Sequence, residues 1–525
     1  MSDKNYQANN PEEQSETNSK KSVSRRSFIR VGAAAAGTLF LAACGDNTNT
    51  SAPAATTAAS TTAASATTAA GATTAAGATT AAATTAAGAT TAAATTAAAT
   101  TAAGATTAAG ATTAAAGGAT TSAAAAATYT GPNVEIAFWN GFTGGAAPQI
   151  LPKIMDAFNS SHPNIKVTNN TIQWADYYQK VPAAVKSGQG PDVGAIHGTD
   201  PATFSAQGLI IALDDMIQSL NYTPETFIPA AFNTITYKGK KWAIPFSLTP
   251  LGLYYNKTVL QNGGVDPNNV PQTKDDYMKV LDQLKAKGIQ GSWVDPFVFT
   301  GSYQFQSLLW QFGGDLFNQD VSQATFNSDA GVQALTWMVD LVKNGYSPAN
   351  VGQDADFTAL VNGKTAFNWN GVWQTSGLSQ NPNVQWGAAP VPQIGSKKAV
   401  WSSSTHLAVF NKRGQDPNKI AAAKVFIDWF VKNSLQWAQT GELPASTAVR
   451  NSPEFKQLTN LQPFAASLEF AHFETAAPGI GDVMATVDTA VNEAVLQKKS
   501  PKQALDDGVN KANQLLQQNR QQYGG

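Results

Sequence analysis

Four histidines, one cysteine and a few paired carboxylates are the residues of this 525-residue chain that could support familiar catalysis or metal binding. His162, His197, His406 and His472 lack the close spacing of a metal site. No HExxH, CxxC, P-loop or G-x-S-x-G pattern occurs. Asp214-Asp215, Asp275-Asp276 and Asp506-Asp507 stand in helix-start or polar contexts, where capping and helix-dipole effects account for them. The stretch DPNNVPQTKDDY (266–277) lacks the central glycine and terminal glutamate of a calcium loop. Cys44 has no second thiol to pair with and cannot hold zinc alone. No metal and no cofactor is expected. What remains is recognition chemistry, in which aromatic faces cover the apolar face of a ring and short polar groups fix its hydroxyls. All twelve tryptophans follow residue 128.

Composition separates the segments that must position those groups. Residues 1–30 are polar and charged, 31–43 small and apolar, and 51–128 an Ala/Thr/Gly/Ser tract without charge or aromatic side chains. Residues 129–525 read as globular, with length enough for two packed lobes. This part carries 28 basic and 30 acidic residues. It offers no cationic footprint for nucleic acid. No run of 18 apolar residues could span a bilayer.

SRRSFIR (24–30) followed by VGAAAAGTLFLAA has the plan of an export signal: a basic region, a short apolar stretch, then small residues. Thirteen helical residues reach only about 20 Å, short of a hydrocarbon core. Arg25-Arg26 with Phe28-Ile29-Arg30 resembles a twin-arginine signal. Leu41-Ala42-Ala43-Cys44 resembles the lipobox of bacterial lipoproteins. That likeness implies cleavage before Cys44, diacylation of its thiol and stable membrane anchoring. A small buried core cysteine is the alternative, but the following tract has no core to offer it. Residues 1–43 are thus expected to be a lipoprotein signal peptide and 44–128 a disordered tether. Paired threonines and recurrent glycines oppose helix there, and a coil of that length spans about 50 Å.

From residue 134 short strands alternate with longer helices. VEIAF, IKVTNNTI, DVGAI and LGLYY read as strands. Leu151, Ile154, Met155 and Phe158 repeat with helical spacing. So do Tyr277, Val280, Leu281 and Leu284; Leu335, Met338, Val339 and Val342; and Ala423, Phe426, Ile427 and Phe430. The expectation is an α/β protein with open sheets flanked by helices, whose ligands bind at the carboxyl ends of strands.

Seven stretches in order then carry a resemblance: FWNGFTGG (138–145), SGQGPDV (187–193), YKGKKWAIPFSLTPLGLYYNK (237–257), LLWQFGGDLF (308–317), LVNGKTAFNWNGVW (360–373), WGAAPVPQIG (386–395) and GELPAS (441–446). Together they resemble the family 1 extracellular solute-binding proteins, the maltose- and glycerol-phosphate-type receptors of ABC importers. The likeness implies a type II periplasmic-binding-protein-like fold with a ligand cleft between its lobes. By analogy, lobe one covers about 131–247 and 405–446, and lobe two about 248–404 and 447–525. Ligand capture by hinge closure and delivery to a permease would follow, without catalysis and as a monomer.

Position after a strand nominates Asn140, Thr143, His197 and Asp200, with turn chemistry or a structural role as the alternative. The resemblance adds Tyr303 and Trp373 as sugar-facing aromatics, for which a core position remains the alternative. It also adds Thr249 at the first crossing, Trp401, Ser403 and Ser404 at the return, and Glu442; Trp174 stands at the rim. Thr249 replaces the acidic residue usual in the maltose type. The set contains no Lys or Arg, which favours a neutral sugar over a polyol phosphate. A secreted carbohydrate-active enzyme on a linker and a surface adhesion module stay open as other readings.

Overall fold

The computed structural model describes residues 126–297, 300–349, 351–352 and 355–524, so the leader, Cys44 and nearly all of the tether lie outside the described residues. Alternating burial makes VEIAFWN a strand, β1 (Val134–Asn140), with Ile136, Phe138 and Asn140 turned inward. It is followed by β2 (Ile165–Thr171), β3 (Val193–His197), the small hairpin β4 (Thr236–Tyr237) and β5 (Lys240–Lys241), and the long β6 (Ile244–Asn256). Then come β7 (Phe367–Gly371), β8 (Trp386–Ala389), β9 (Val400–Val409), β10 (Leu443–Pro444) and β11 (Ala471–Phe473).

One sheet runs in the order β10-β6-β9-β3-β1-β2. Parallel pairing joins β2, β1 and β3. Antiparallel pairing joins β3 to β9 and β9 to β6. The three residues of β11 lie parallel to the start of β9. β7 and β8 pair with the second half of β6. Helices cover these sheets through the expected stripes: Leu151, Ile154, Met155 and Phe158 are buried, as are Leu335, Met338, Val339 and Val342.

Two hydrophobic cores result, and the two longest strands pass between them. Ile244, Phe246 and Leu248 of β6 belong to the first core, while Leu251, Leu253 and Tyr255 belong to the second. β9 returns the other way, from Val400 and Trp401 in the second core to Leu407 and Val409 in the first. β6 keeps Pro245 and Pro250 within it; the register with β9 shifts between Pro245 and Ser247, which spares a ladder donor that proline lacks. In the first core Phe426 meets Phe138 and Phe158 edge-on at 5.3 and 5.1 Å, the favoured aromatic arrangement.

The described chain enters through the first core. The Ala127 N–H donates to Asp428 Oδ2 at 2.9 Å, Tyr222 donates to Oδ1 at 2.5 Å, and Lys432 pairs with the same carboxylate at 2.8 Å. The last helix, Pro501–Tyr523, packs into the second core through Leu505 and Leu516. Its end nevertheless reaches elements of the first: Gln207 Nε2 donates to Tyr523 Oη at 3.2 Å, and Lys238 Nζ to the Gly524 carbonyl at 3.2 Å. Among the described residues no helix is long and apolar enough to cross a membrane.

Candidate functional site

The β1 and β3 ends build one wall. Asn140 is fully buried and committed to its own loop: Nδ2 donates to Asn169, while Oδ1 accepts from the Phe142 N–H and the Thr171 hydroxyl. Thr143 donates to Gln173 Oε1 at 2.8 Å. The Trp174 indole lies on the Gly141 backbone so closely that a Cβ there would fall 2.0 Å from the ring. Trp174 also stacks on Tyr178 and lies 4.2 Å, centroid to centroid, from His197. Tyr178 Oη is 2.9 Å from His197 Nδ1, and Asp200 Oδ2 accepts the His197 backbone N–H at 2.8 Å.

β6 and β9 form the floor where they cross between the cores. Thr249 stands directly opposite Ser403. The Ser403 hydroxyl donates to Glu474 Oε2 at 2.6 Å. Ser404 is only 1% exposed, donates to the Ser247 carbonyl at 3.1 Å and lies 3.3 Å from His406 Nδ1. Strand alternation separates these neighbouring serines, and Ser404 serves the strand pairing. Glu442 is similarly engaged, accepting from Ser247 Oγ at 2.6 Å and Trp437 Nε1 at 3.0 Å.

An aromatic trio forms the other wall. Tyr303, in the first turn of the helix Thr300–Gln311, stacks on Trp401 with centroids 3.5 Å apart and planes 12° apart. Trp373 meets Trp401 edge-on at 6.3 Å. The helix that follows Trp373, Gln374–Ser379, reaches back to the first wall, where the Ala146 N–H donates to Ser376 Oγ.

The structure therefore brings Trp174, His197 and Asp200 together, gathers Tyr303, Trp373 and Trp401 into one cluster, and pairs Thr249 with Ser403. Asn140, Ser404 and Glu442 spend their polar atoms on protein partners. Tyr178 and Glu474 were not anticipated. Tyr178 follows Trp174 at i+4 on one helix face, a visible signal; Glu474 lies 71 residues from Ser403 in a stretch without any motif.

Burial governs the electrostatics of the cleft. Asp200 is pushed up to about 6 by desolvation, against the opposing hydrogen bonds of Tyr178, His197 and Thr199. Glu474 rises to about 7 through burial, with the Asp200 charge adding and the Ser403 hydroxyl opposing. His197 falls to about 4 and His406 to about 3, both chiefly through burial. Burial also raises Glu442 and Asp488. Among the described residues no Lys or Arg forms an ion pair with any of these carboxylates, and no group of three His, Asp or Glu side chains could hold a metal ion. Aromatic faces with nearby hydrogen-bonding groups suit capture of a small hydroxylated molecule.

Comparison with known proteins agrees with this architecture. The chain is 23% identical over 374 residues to the maltotriose-binding protein of Pyrococcus abyssi, covering 68% of this chain and 76% of that one. It is 21% identical over 413 residues to the sn-glycerol-3-phosphate-binding periplasmic protein of Salmonella typhimurium, covering 73% and 92%. The structure of a cyclic alpha-maltosyl-1,6-maltose binding protein from Arthrobacter globiformis superposes with a TM-score of 0.64 at 24% identity, over 74% of this chain and all of the other. These likenesses establish the two-lobed α/β fold of periplasmic binding proteins. A family model of bacterial extracellular solute-binding proteins matches residues 143–437, more than half of the length, and the chain belongs to that family.

Proposed function

We propose that this chain is a membrane-tethered receptor that captures a carbohydrate by hinge closure and hands it to the permease of an ABC importer. In this reading twin-arginine export and diacylation of Cys44 anchor it outside the cytoplasmic membrane, residues 44–128 act as the tether, and the monomeric receptor performs no bond chemistry. The lobes divide at the crossings in β6 and β9. Trp373 and Tyr303 take one face of a sugar ring, while Trp401, expected to cover the ring, is buried in the second core beneath Tyr303 and backs that wall instead. Trp174, His197, Asp200, Thr249 and Ser403 meet the hydroxyls. Asn140, Thr143, Ser404 and Glu442 hold the loops and strands around it.

The observation that carries the reading is the Tyr303–Trp401 stack with Trp373 at its edge, placed beside the Ser403–Glu474 pair at the floor. Aromatic rings suit the C–H faces of sugars. Relatives that bind maltotriose and sn-glycerol-3-phosphate bracket the ligand class. The acidic surroundings, in which no Lys or Arg among the described residues pairs with Asp200 or Glu474, disfavour the phosphate. A thermal-shift screen of mono- and oligosaccharides, polyols and polyol phosphates tests it. A ligand at 100 times its Kd stabilises by about 2.7 kcal/mol; if nothing in the screen raises the melting temperature, the receptor reading falls.

A second reading draws on Glu474, raised to about 7 beside Asp200. A carboxyl group held protonated near neutrality suits a general acid of glycoside cleavage. Release of reducing ends from an oligosaccharide, abolished by Glu474→Gln, would favour an enzyme.

A further inference from the structure

Two carboxyl groups from separate parts of the chain lie close enough at the floor of the cleft for the charge of one to raise the other. Glu474 follows β11, and Asp200 opens the short helix after β3. Gly198 lies between them: a Cβ there would sit 3.2 Å from Glu474 Oε2 and 3.7 Å from Ser403 Oγ. The turn 197–200 therefore closes directly onto the Glu474 carboxylate. Asp200 accepts from the His197 N–H at 2.8 Å and from the Thr199 hydroxyl at 3.4 Å; Glu474 accepts from Ser403. These donors are neutral, and no cation among the described residues pairs with either carboxylate.

A separate feature also points to a missing polar partner. Trp401 is 2% exposed, and its indole N–H has no acceptor. Strand alternation puts Trp401 on the same face of β9 as Ser403, two residues on. Its ring carries Tyr303, whose phenol is raised well above the usual range by burial and by the charges of Glu474 and Asp488. One surface thus joins stacked aromatic rings, an N–H lacking an acceptor and carboxylates lacking a cation.

We propose that Glu474 and Asp200 read a protonated amine on the captured carbohydrate, so that the ligand is an amino sugar whose ring lies on the Tyr303–Trp401–Trp373 wall. The inference rests on the carbohydrate-receptor reading and refines it from a neutral sugar to a cationic one. An ammonium group offers three donors and a full charge to two desolvated carboxylates. Hydroxyl groups would satisfy oxygen lone pairs but leave the pair sharing protons near neutrality, whereas an ammonium group would stabilise both groups in their ionised form. A ring or hydroxyl oxygen of the same sugar could accept from the Trp401 N–H. An anionic ligand would be repelled by both carboxylates.

Isothermal titration calorimetry of the full chain at pH 7 tests the proposal with three probes: the trimer of glucosamine, its fully N-acetylated form and maltotriose. The glucosamine trimer is expected to bind at least about tenfold more tightly than either neutral probe, as a charge-assisted contact requires. Added salt should shrink that preference. Glu474→Gln, which keeps an acceptor for Ser403, should bring the ratio close to one; Asp200→Asn provides the same test should the first variant fail to fold. The proposal is overturned if a neutral trimer binds as tightly as the amine, or if the ratio survives both substitutions. Neutral-sugar binding without amine preference would defeat this inference alone, whereas failure of every saccharide to bind would defeat the receptor reading as well.

Discussion

Glu474 and two histidines, His197 in the cleft and His406 fully buried behind it in β9, pull the pH dependence of stability in opposite directions. Glu474 rises to about 7 when folded, so between about pH 4.5 and 7 the folded chain holds a proton that the unfolded chain releases. Its contribution to stability is therefore lost as pH rises through that window. Asp200, at about 6, acts in the same sense. His197 and His406, lowered to about 4 and 3, hold fewer protons folded than unfolded, and their contribution is lost as pH falls below about 6.5. Tyr178 and Tyr303 also face this cluster, and Asp488 acts on Tyr303 from beyond it. Glu474→Gln removes one carboxyl from the balance and should stabilise the unliganded protein above pH 7 by roughly 1–2 kcal/mol, with little gain at pH 5. Thermal melts at pH 5 and 8 measure it; an equal shift at both values would show that ionisation of Glu474 is not the cause. The cluster could be only half read from the sequence. His197 and Asp200 follow a recognisable strand, whereas Glu474 reaches Ser403 only through β11, three residues of parallel pairing that no periodicity marks.

At the scale of elements, helices were more legible than the strands that link the cores. The stripe of Leu151, Ile154, Met155 and Phe158 states its helix because 3.6-residue spacing can serve no other element. LGLYY reads as a five-residue strand, yet β6 runs for thirteen residues, because Pro245 and Pro250 look like terminators until β9 supplies a register that tolerates them. Family likeness nominates Ser404 and Glu442, but their partners become visible only with the pairing of β6 to β9 and to β10. The last helix adds a contact that family likeness does not suggest: packed in the second core, its terminal turn nevertheless touches Gln207 and Lys238. Tyr523→Phe would remove the phenol that accepts from Gln207, a hydrogen bond worth about 0.5–1.5 kcal/mol. If it favours the closed form, stopped-flow measurement should show ligand leaving about two- to tenfold faster. An unchanged off-rate would make the contact equally strong in open and closed forms.

For the molecule as a whole, the proposed anchor and the receptor are separable. Cys44→Ala should release the protein from membranes while leaving ligand affinity unchanged, because Cys44 lies 85 residues before the globular part read from the sequence. Membrane fractionation combined with calorimetry checks both halves; retention of the variant in the membrane fraction would refute lipid anchoring. The junction at Ala127 gives such an anchor a mechanical meaning. The chain joins the globular part at the Asp428 carboxylate, which also holds Tyr222 and Lys432, all on the side of the first core. In the tethered reading, a pull arriving along the chain would enter at the helix that carries Asp428 and reach β6 only through packing such as Phe430 on Phe246. On the proposed receptor reading, the first lobe would then act as the stator and the second as the rotor, swinging shut on its cargo while the anchor bears the tension.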